Sequence, residues 1–227
     1  MAVYTKIGLD EINLIEKNFS IGKILNYSGI KKGIENTNYR IKSKKRKFIL
    51  TIFEKRVNSR DLPFFMKLMS GLAQSKIKCP KPVENKKGKY LFKLKGKNAC
   101  LVTFLEGKDK NNLNSKECFV IGKNIARLHN SSKKLRIFRK NSLSVNSWGP
   151  LLKKISRKIN KKFKDLTENM KIDYIQIKKL WPKKLPTGII HGDLFIDNIF
   201  FFKGSFYGFI DFYFSSNDYY AYDLAIS

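Results

Sequence analysis

The chain has 227 residues, 42% of them hydrophobic, enough to bury a real core in one or two domains. Its formal charge is +29, yet no apolar run approaches the roughly 18–20 residues that cross a bilayer, which excludes a helical membrane span. Three cysteines (Cys79, Cys100, Cys118), an odd number without a C-x-x-C pair, exclude a disulfide framework and point to a reducing compartment. The opening residues lack the basic-then-apolar pattern of a secretory signal, so the expected location is cytoplasmic.

Residues 1–20 predict one short amphipathic helix, with Leu9, Ile12, Ile15 and Phe19 at near-helical spacing and Asp10 and Glu11 in its first turn. Three strands follow, at about 23–31, 36–42 and 47–54. The turn between the first two contains Gly29 and Gly33 and ends in Asn36-Thr37-Asn38. Glycines there serve either an ordinary turn or the close approach of backbone N–H groups to nucleotide phosphates. Phe48–Phe53 is the expected central strand. A helix over 61–76 begins at Asp61 and Pro63 and buries Leu62, Phe65, Met66, Met69, Leu72 and Ala73. Past the break Cys79-Pro80-Lys81-Pro82, strands are expected near 89–95 and 98–104, and Thr103–Gly107 closes the first lobe.

Asn114 with Glu117 three residues on predicts the start of a helix running to about His129, with Phe119, Ile125 and Leu128 on its apolar stripe. His129, at the helix end, reads as a structural residue or a partner of the helix dipole. Segment 147–181 places Trp148, Leu151, Leu152, Ile155, Ile159, Phe163 and Leu166 on one helical face. Lys153, Lys154, Arg157, Lys158, Lys161 and Lys162 lie mostly away from it. A helix lying on a membrane is one reading; the solvated outer face of a large lobe is preferred. Pro182 and Pro186 end this stretch.

The chemistry concentrates in His191-Gly192-Asp193-Leu194-Phe195-Ile196-Asp197-Asn198 and in Asp211. Between them, Ile199–Phe202 and Phe206–Ile210 flank Lys203-Gly204-Ser205, a hairpin signal. A hairpin brings its ends together, so Asn198 and Asp211 become neighbours, with Asp193 on the same loop. Two carboxylates and a carboxamide around one small volume suit Mg²⁺, which uses few protein oxygens and takes the rest from phosphates and water. The spacing H-x-D-x-x-x-x-N is that of the phosphoryl-transfer loop of protein kinases, where the Asp meets the acceptor hydroxyl and the Asn and the later Asp hold metal. On that pattern Asp193 is the catalytic base, Asn198 and Asp211 are the metal ligands, and His191 braces the loop. Asp223 caps or buttresses nearby backbone, and Asp197 is either a supporting group or simply exposed. Charge agrees: residues 187–227 hold five Asp and one Lys, net −4, within a strongly basic chain. The surrounding lysines are scattered and abundant alongside Asn, Ile and Phe, a compositional bias more than a nucleic-acid footprint.

H-G-D-L-x-x-x-N followed by I-D-F resembles the aminoglycoside phosphotransferase and choline kinase superfamily, with Gly192 where protein kinases carry Arg. Within it the chain resembles the homoserine kinases, through Met1–Lys6, Gly33–Tyr39, Phe48–Asn58, Asp61–Phe65, Val102–Gly107, Ile210–Phe214 and Tyr222–Ile226. The resemblance runs from the first residue to the last. It implies an α+β, two-lobe, protein-kinase-like fold: a small antiparallel-sheet lobe over 1–106 and a mainly helical lobe over 107–227. Relatives continue with further helix, so a shortened C-terminal lobe is expected. It implies ATP and Mg²⁺ as cofactors and L-homoserine as the small-molecule substrate of a monomer without specific nucleic-acid or membrane partners. Nucleotide would contact Gly29 and Gly33, the strand position Thr51, and Thr103 and Leu105 on the crossing segment.

One departure follows from the same resemblance. Thr51 stands where kinases carry a phosphate-binding Lys, and the next helix has no Glu to pair with it; the homoserine kinase branch tolerates Thr there. Lys55 and Arg56 are the nearest candidate cations, each otherwise a solvated strand-end charge. Rival readings are a kinase for choline, an aminoglycoside or methylthioribose, which would share every catalytic residue, and an inactive truncated relative or basic nucleic-acid-binding protein. A polycationic aminoglycoside wants an acid-lined pocket, whereas the 13 acids outside 187–227 (18 minus 5) are dispersed.

Overall fold

A five-stranded antiparallel sheet organises the first part of the chain in the computed structural model, which describes residues 3–32, 35–54, 57–159 and 163–227. Its strands are β1 (Ile24–Gly29), β2 (Thr37–Ser43), β3 (Lys47–Ile52), β4 (Leu91–Leu94) and β5 (Lys97–Thr103), in the order β1-β2-β3-β5-β4. β3 takes the centre as expected. Leu50, Thr51 and Ile52 are buried in succession, the continuous burial of a strand covered on both faces.

Helix α1 (Leu9–Asn18) covers one face with Ile12 and Ile15, which pack with Phe19, Ile41, Leu50 and Leu101. Leu9 does not join that stripe. It is 72% exposed at the first helical position, and Ile12 and Ile15 suffice to seat so short a helix. The other face carries α2 (Leu62–Gln74), buried almost all round, with Phe64 and Leu68 enclosed as well as the expected stripe. A helix apolar on every side is one lying between two layers, and the second layer is the rest of the chain. One cluster runs from Cys100 and Val102 through α2 to Ile121, Ile125, Leu194, Ile199 and Phe212.

Helix α3 (Ser115–Ser132) opens with the anticipated box: Glu117 N–H donates to Asn114 Oδ1 (2.9 Å) and Asn114 N–H to Glu117 Oε2 (3.0 Å). Its buried stripe is Ile121, Ile125 and Leu128. Phe119 is 73% exposed, a correction that follows from its lying two residues, about half a turn, from Ile121. Segment 147–181 is two helices, α4 (Val145–Ser156) and α5 (Lys164–Leu180), which pack on each other. Tyr174 stacks over bare Gly149 and Trp148 meets Trp181 edge-on at 5.5 Å. Leu151, Ile155, Phe163 and Leu166 stay 41–53% exposed, because each helix covers only part of its partner's apolar face.

The remaining elements build the site. Strand β6 (Thr187–Ile190) pairs with β9 (Ser216–Tyr219), a ladder that local pattern does not announce, and α6 (Tyr220–Ile226) follows. β7 (Ile199–Phe202) and β8 (Ser205–Phe209) form the expected hairpin, closed by Lys203 and Gly204 at φ 50° and 80°, the left-handed pair of a two-residue turn. Among the described residues no helix is long and apolar enough to cross a membrane.

Candidate active site

β6 ends at Ile190 and hands the chain to His191, so the loop that follows is anchored to a buried ladder. Asp223 holds it there. Its fully buried carboxylate accepts from His191 N–H (Oδ2, 2.8 Å), Gly192 N–H (Oδ1, 2.8 Å) and His129 Nε2 (2.7 Å). The buttress expected of Asp223 and the structural part expected of His129 are thus one contact. Gly192 has φ 79°, and a Cβ there would stand 2.8 Å from the Phe214 carbonyl oxygen, so Arg, as in protein kinases, does not fit.

His191 Nε2–H donates to the Ile210 carbonyl at 2.9 Å, tying the loop to the far end of the hairpin. Burial holds its pKa below the usual imidazole value, and its Nδ1 lone pair faces no partner among the described residues. The ring is a neutral brace. Ile210 N–H donates to the Asn198 carbonyl (3.0 Å), which places Asp211 beside Asn198 as hairpin closure demands. Asn198 Nδ2 donates to the carbonyl (2.7 Å) and to Oδ2 (2.9 Å) of Asp193. Its amide nitrogen is spent on Asp193, leaving its oxygen available to a cation.

Asp211 sits at φ 63°, ψ 63°, a left-handed conformation that costs a non-glycine residue on the order of 1–2 kcal/mol. It lines a cavity of about 620 Å³ together with Asp193, Asn198, Glu35, Asn36 and Asn38. Burial, with the charges of Asp193 and Glu35, pushes the Asp211 carboxyl up to about 6; burial also raises Asp193, against the Asn198 hydrogen bond that lowers it. These carboxylates crowd a partly desolvated space, and a divalent cation with nucleotide phosphates relieves that repulsion. Among the described residues no three His, Cys, Asp or Glu side chains stand close enough to hold a metal by themselves. An Asn and an Asp that leave most positions to phosphate and water are the donor set Mg²⁺ prefers.

The nucleotide-side expectations fare unevenly. Gly33, Lys55 and Arg56 lie outside the described residues. The bare face of Gly29 is filled by Val3, whose Cγ2 stands 2.8 Å from where a Cβ would be, so that space is not open to a phosphate. Thr51 is buried, donates to Asn38 Oδ1 (2.8 Å) and accepts from the Tyr213 hydroxyl (3.5 Å). Thr103 Oγ1 accepts from Lys81 N–H (2.9 Å), fixing the crossing segment to the Pro80–Pro82 break, while Leu105 is partly buried in that segment. The segment docks on β7 through Lys108 and Phe201, whose backbones exchange bonds of 3.0 and 2.8 Å beside Gly107. Asp197 lines the cavity but is exposed.

Arg139 escapes sequence reading altogether. Its Nε donates to Asp61 Oδ2 (2.7 Å) at the start of α2, and Nη1 to the carbonyls of Ser215 (3.0 Å) and Phe214 (3.4 Å) just beyond Asp211. Its guanidinium lies over Phe65, which meets Tyr213 edge-on at 5.7 Å. It ties the start of α2 to the loop beyond Asp211. Nothing in the segment between α3 and α4, which also holds Arg136, marks it in the sequence.

Comparison with known proteins gives the family and the fold. The profile of the phosphotransferase enzyme family matches residues 26–227. The homoserine kinase of Methylorubrum populi is 40% identical over 227 residues, covering 100% of this chain and 71% of the relative. That of Agrobacterium fabrum is 41% identical over 226 residues, covering 100% and 70%. Among solved structures, amicoumacin kinase in complex with AMP-PNP, Ca²⁺ and Ami superposes with a TM-score of 0.75 at 16% identity, over 97% of this chain and 68% of that one. Spectinomycin phosphotransferase with ADP and spectinomycin gives 0.71 at 17%, over 98% and 74%. At such identities these two establish the α+β kinase-like fold alone. The chain belongs to the phosphotransferase enzyme family and, by relatives matched along its whole sequence, to the homoserine kinases within it.

Proposed function

We propose that this chain transfers the γ-phosphoryl group of ATP to the side-chain hydroxyl of L-homoserine, with Asp193, Asn198 and Asp211 as its working groups. The observation that carries the reading is the identity of about 40% to homoserine kinases along the whole chain. The site supplies the chemistry. Asp193 has Oδ2 held by Asn198, so Oδ1 is the atom left to orient the acceptor hydroxyl and take its proton as the new O–P bond forms. Asn198 Oδ1 and the Asp211 carboxylate hold Mg²⁺. Held there, the ion would supply positive charge against that building on the transferring phosphate. His191 and Asp223 touch no reactant; they keep Asp193 in register with Asp211. The small lobe is residues 1–106 and the large lobe 107–227, with adenine along Thr103–Leu105. The enzyme works as a cytoplasmic monomer, and its basic surface serves no specific nucleic acid.

The test is ADP release by purified, folded protein with L-homoserine, choline or kanamycin as acceptor. Homoserine should support turnover well above the other two. A folded sample that phosphorylates choline or kanamycin and leaves homoserine untouched overturns the assignment.

A further inference from the structure

The strand position of the kinase lysine holds Thr51, and what Thr51 touches is informative. Its hydroxyl donates to Asn38 Oδ1. Two residues earlier, Asn36 Oδ1 accepts from the Glu54 backbone N–H at 3.3 Å. In both carboxamides the oxygen is therefore engaged by protein, and the NH₂ group is turned away from that partner. Neither Nδ2 has a hydrogen-bond partner among the described residues. Both residues line the cavity that faces Asp193, Asn198 and Asp211.

Asn36, just before β2, and Asn38, on it, both line the cavity, and the residue between them is turned the other way. Thr37 is that residue, fully buried. Its hydroxyl accepts from Tyr4 N–H (2.9 Å) and Thr5 N–H (3.1 Å) and donates to Glu54 Oε1 (2.8 Å). Glu54 also takes the Thr5 hydroxyl (2.7 Å) and pairs with Lys97. A strap from the N-terminal segment, a buried threonine and an ion pair thus pin the start of β2 from behind. The face pinned toward the cavity carries two amides with unspent donors.

The partner such donors want is an acceptor oxygen, and none of the described residues supplies one to either Nδ2. The cavity already holds the carboxylates of Glu35, Asp193, Asp197 and Asp211. An ammonium placed among them would pair with a carboxylate and compete with the metal; a neutral amide does neither. We propose that Asn36 and Asn38 bind the nucleotide's phosphate oxygens through their side-chain N–H groups, with Thr51 and the Glu54 backbone orienting them. This rests on the nucleotide reading above. It assigns to two neutral donors a contact that kinases make with lysine.

The test is calorimetric titration of Mg·ADP and, separately, adenosine into the full chain and its variants. Asn36→Asp and Asn38→Asp keep the oxygen that the protein uses and remove the donor. Asn38→Ala adds no charge, and Thr51→Val removes only the group that orients Asn38. In Asn36→Asp, Asn38→Asp and Asn38→Ala, ADP affinity should fall roughly tenfold or more, the scale of one hydrogen bond to a charged group. Thr51→Val should show a smaller loss in the same direction, and adenosine affinity should hold throughout. Equal losses of ADP and adenosine, or an unchanged ratio in Asn38→Ala and Asn36→Asp, overturn this inference alone. A wild-type protein that does not prefer ADP to adenosine overturns it together with the proposed function.

Discussion

The region from β6 to α6 and the α4–α5 pair lie close in sequence and treat burial in opposite ways. In the first, His191, Ser215 and Asp223 are fully enclosed, and the Asp223 carboxylate alone accepts three hydrogen bonds. In the second, Val145 is the only buried residue of α4 and none of the apolar residues of α5 is buried among those described. One region spends buried polar groups on holding a geometry; the other holds two helices by their mutual contact. Precision is located where polar groups are enclosed and paired, because an enclosed donor or acceptor has one acceptable position and a solvated side chain has many.

Substitutions should separate the two regions by size and kind of effect. Asp223→Ala strands two backbone N–H groups and His129, and should cost about 3–5 kcal/mol, the range for breaking a buried charged network; denaturant unfolding measures it. Asp193→Asn should leave stability and nucleotide affinity near wild type while lowering turnover by roughly two orders of magnitude or more, read by single-turnover kinetics. Near-wild-type turnover would remove Asp193 from the mechanism.

Arg139→Ala should destabilise by about 1.5–3 kcal/mol, the scale of hydrogen bonds to a charged group. It should also raise KM for ATP more than it lowers kcat, because it frees the loop beyond Asp211 and not Asp193. Arg139→Lys keeps a charge for Asp61 but not the fork to the carbonyls, so it should recover stability before KM. Equal changes in KM and kcat would make Arg139 a fold residue only. Smallest of all, Ile175→Lys on α5, at a side 65% exposed, should shift stability by no more than about 0.5 kcal/mol in either direction. A loss of several kcal/mol there would show that the α5 face is covered in solution and would undo the contrast.

What the sequence reveals of this fold follows the range of each contact. The loop and hairpin are legible because Asp193, Asn198 and Asp211 are joined by a short two-stranded turn whose length and glycine are local facts. The α3 box is legible for the same reason. Arg139 is not, since Asp61 is 78 residues away and nothing near either residue announces the other. Nor is the β6–β9 ladder, whose two short strands are paired across the whole hairpin between them. The division of 147–181 into two helices is hidden by a periodicity that continues through the break, and Leu9 and Phe119 show that apolar character at roughly the right spacing does not settle which face is buried. The donors of Asn36 and Asn38 were invisible for a different reason. Asn in a turn before a strand is ordinary, and only the partners of their oxygens mark them out.

The grip of Asp223 on His191 and Gly192 also sets a clock. The two sides of that contact are 32 and 31 residues apart, and the carboxylate is made last. A chain emerging from the ribosome presents the loop, the hairpin and Asp211 before the carboxylate that grips the loop's backbone exists. Until then the His191 and Gly192 N–H groups have water as their partner, and the turn at Gly192 lacks the carboxylate that grips its backbone. The held form of the loop is therefore complete only when α6 docks, so a nascent chain ending anywhere between Asp211 and Asp223 carries Asp193, Asn198 and Asp211 without the contact that grips His191 and Gly192.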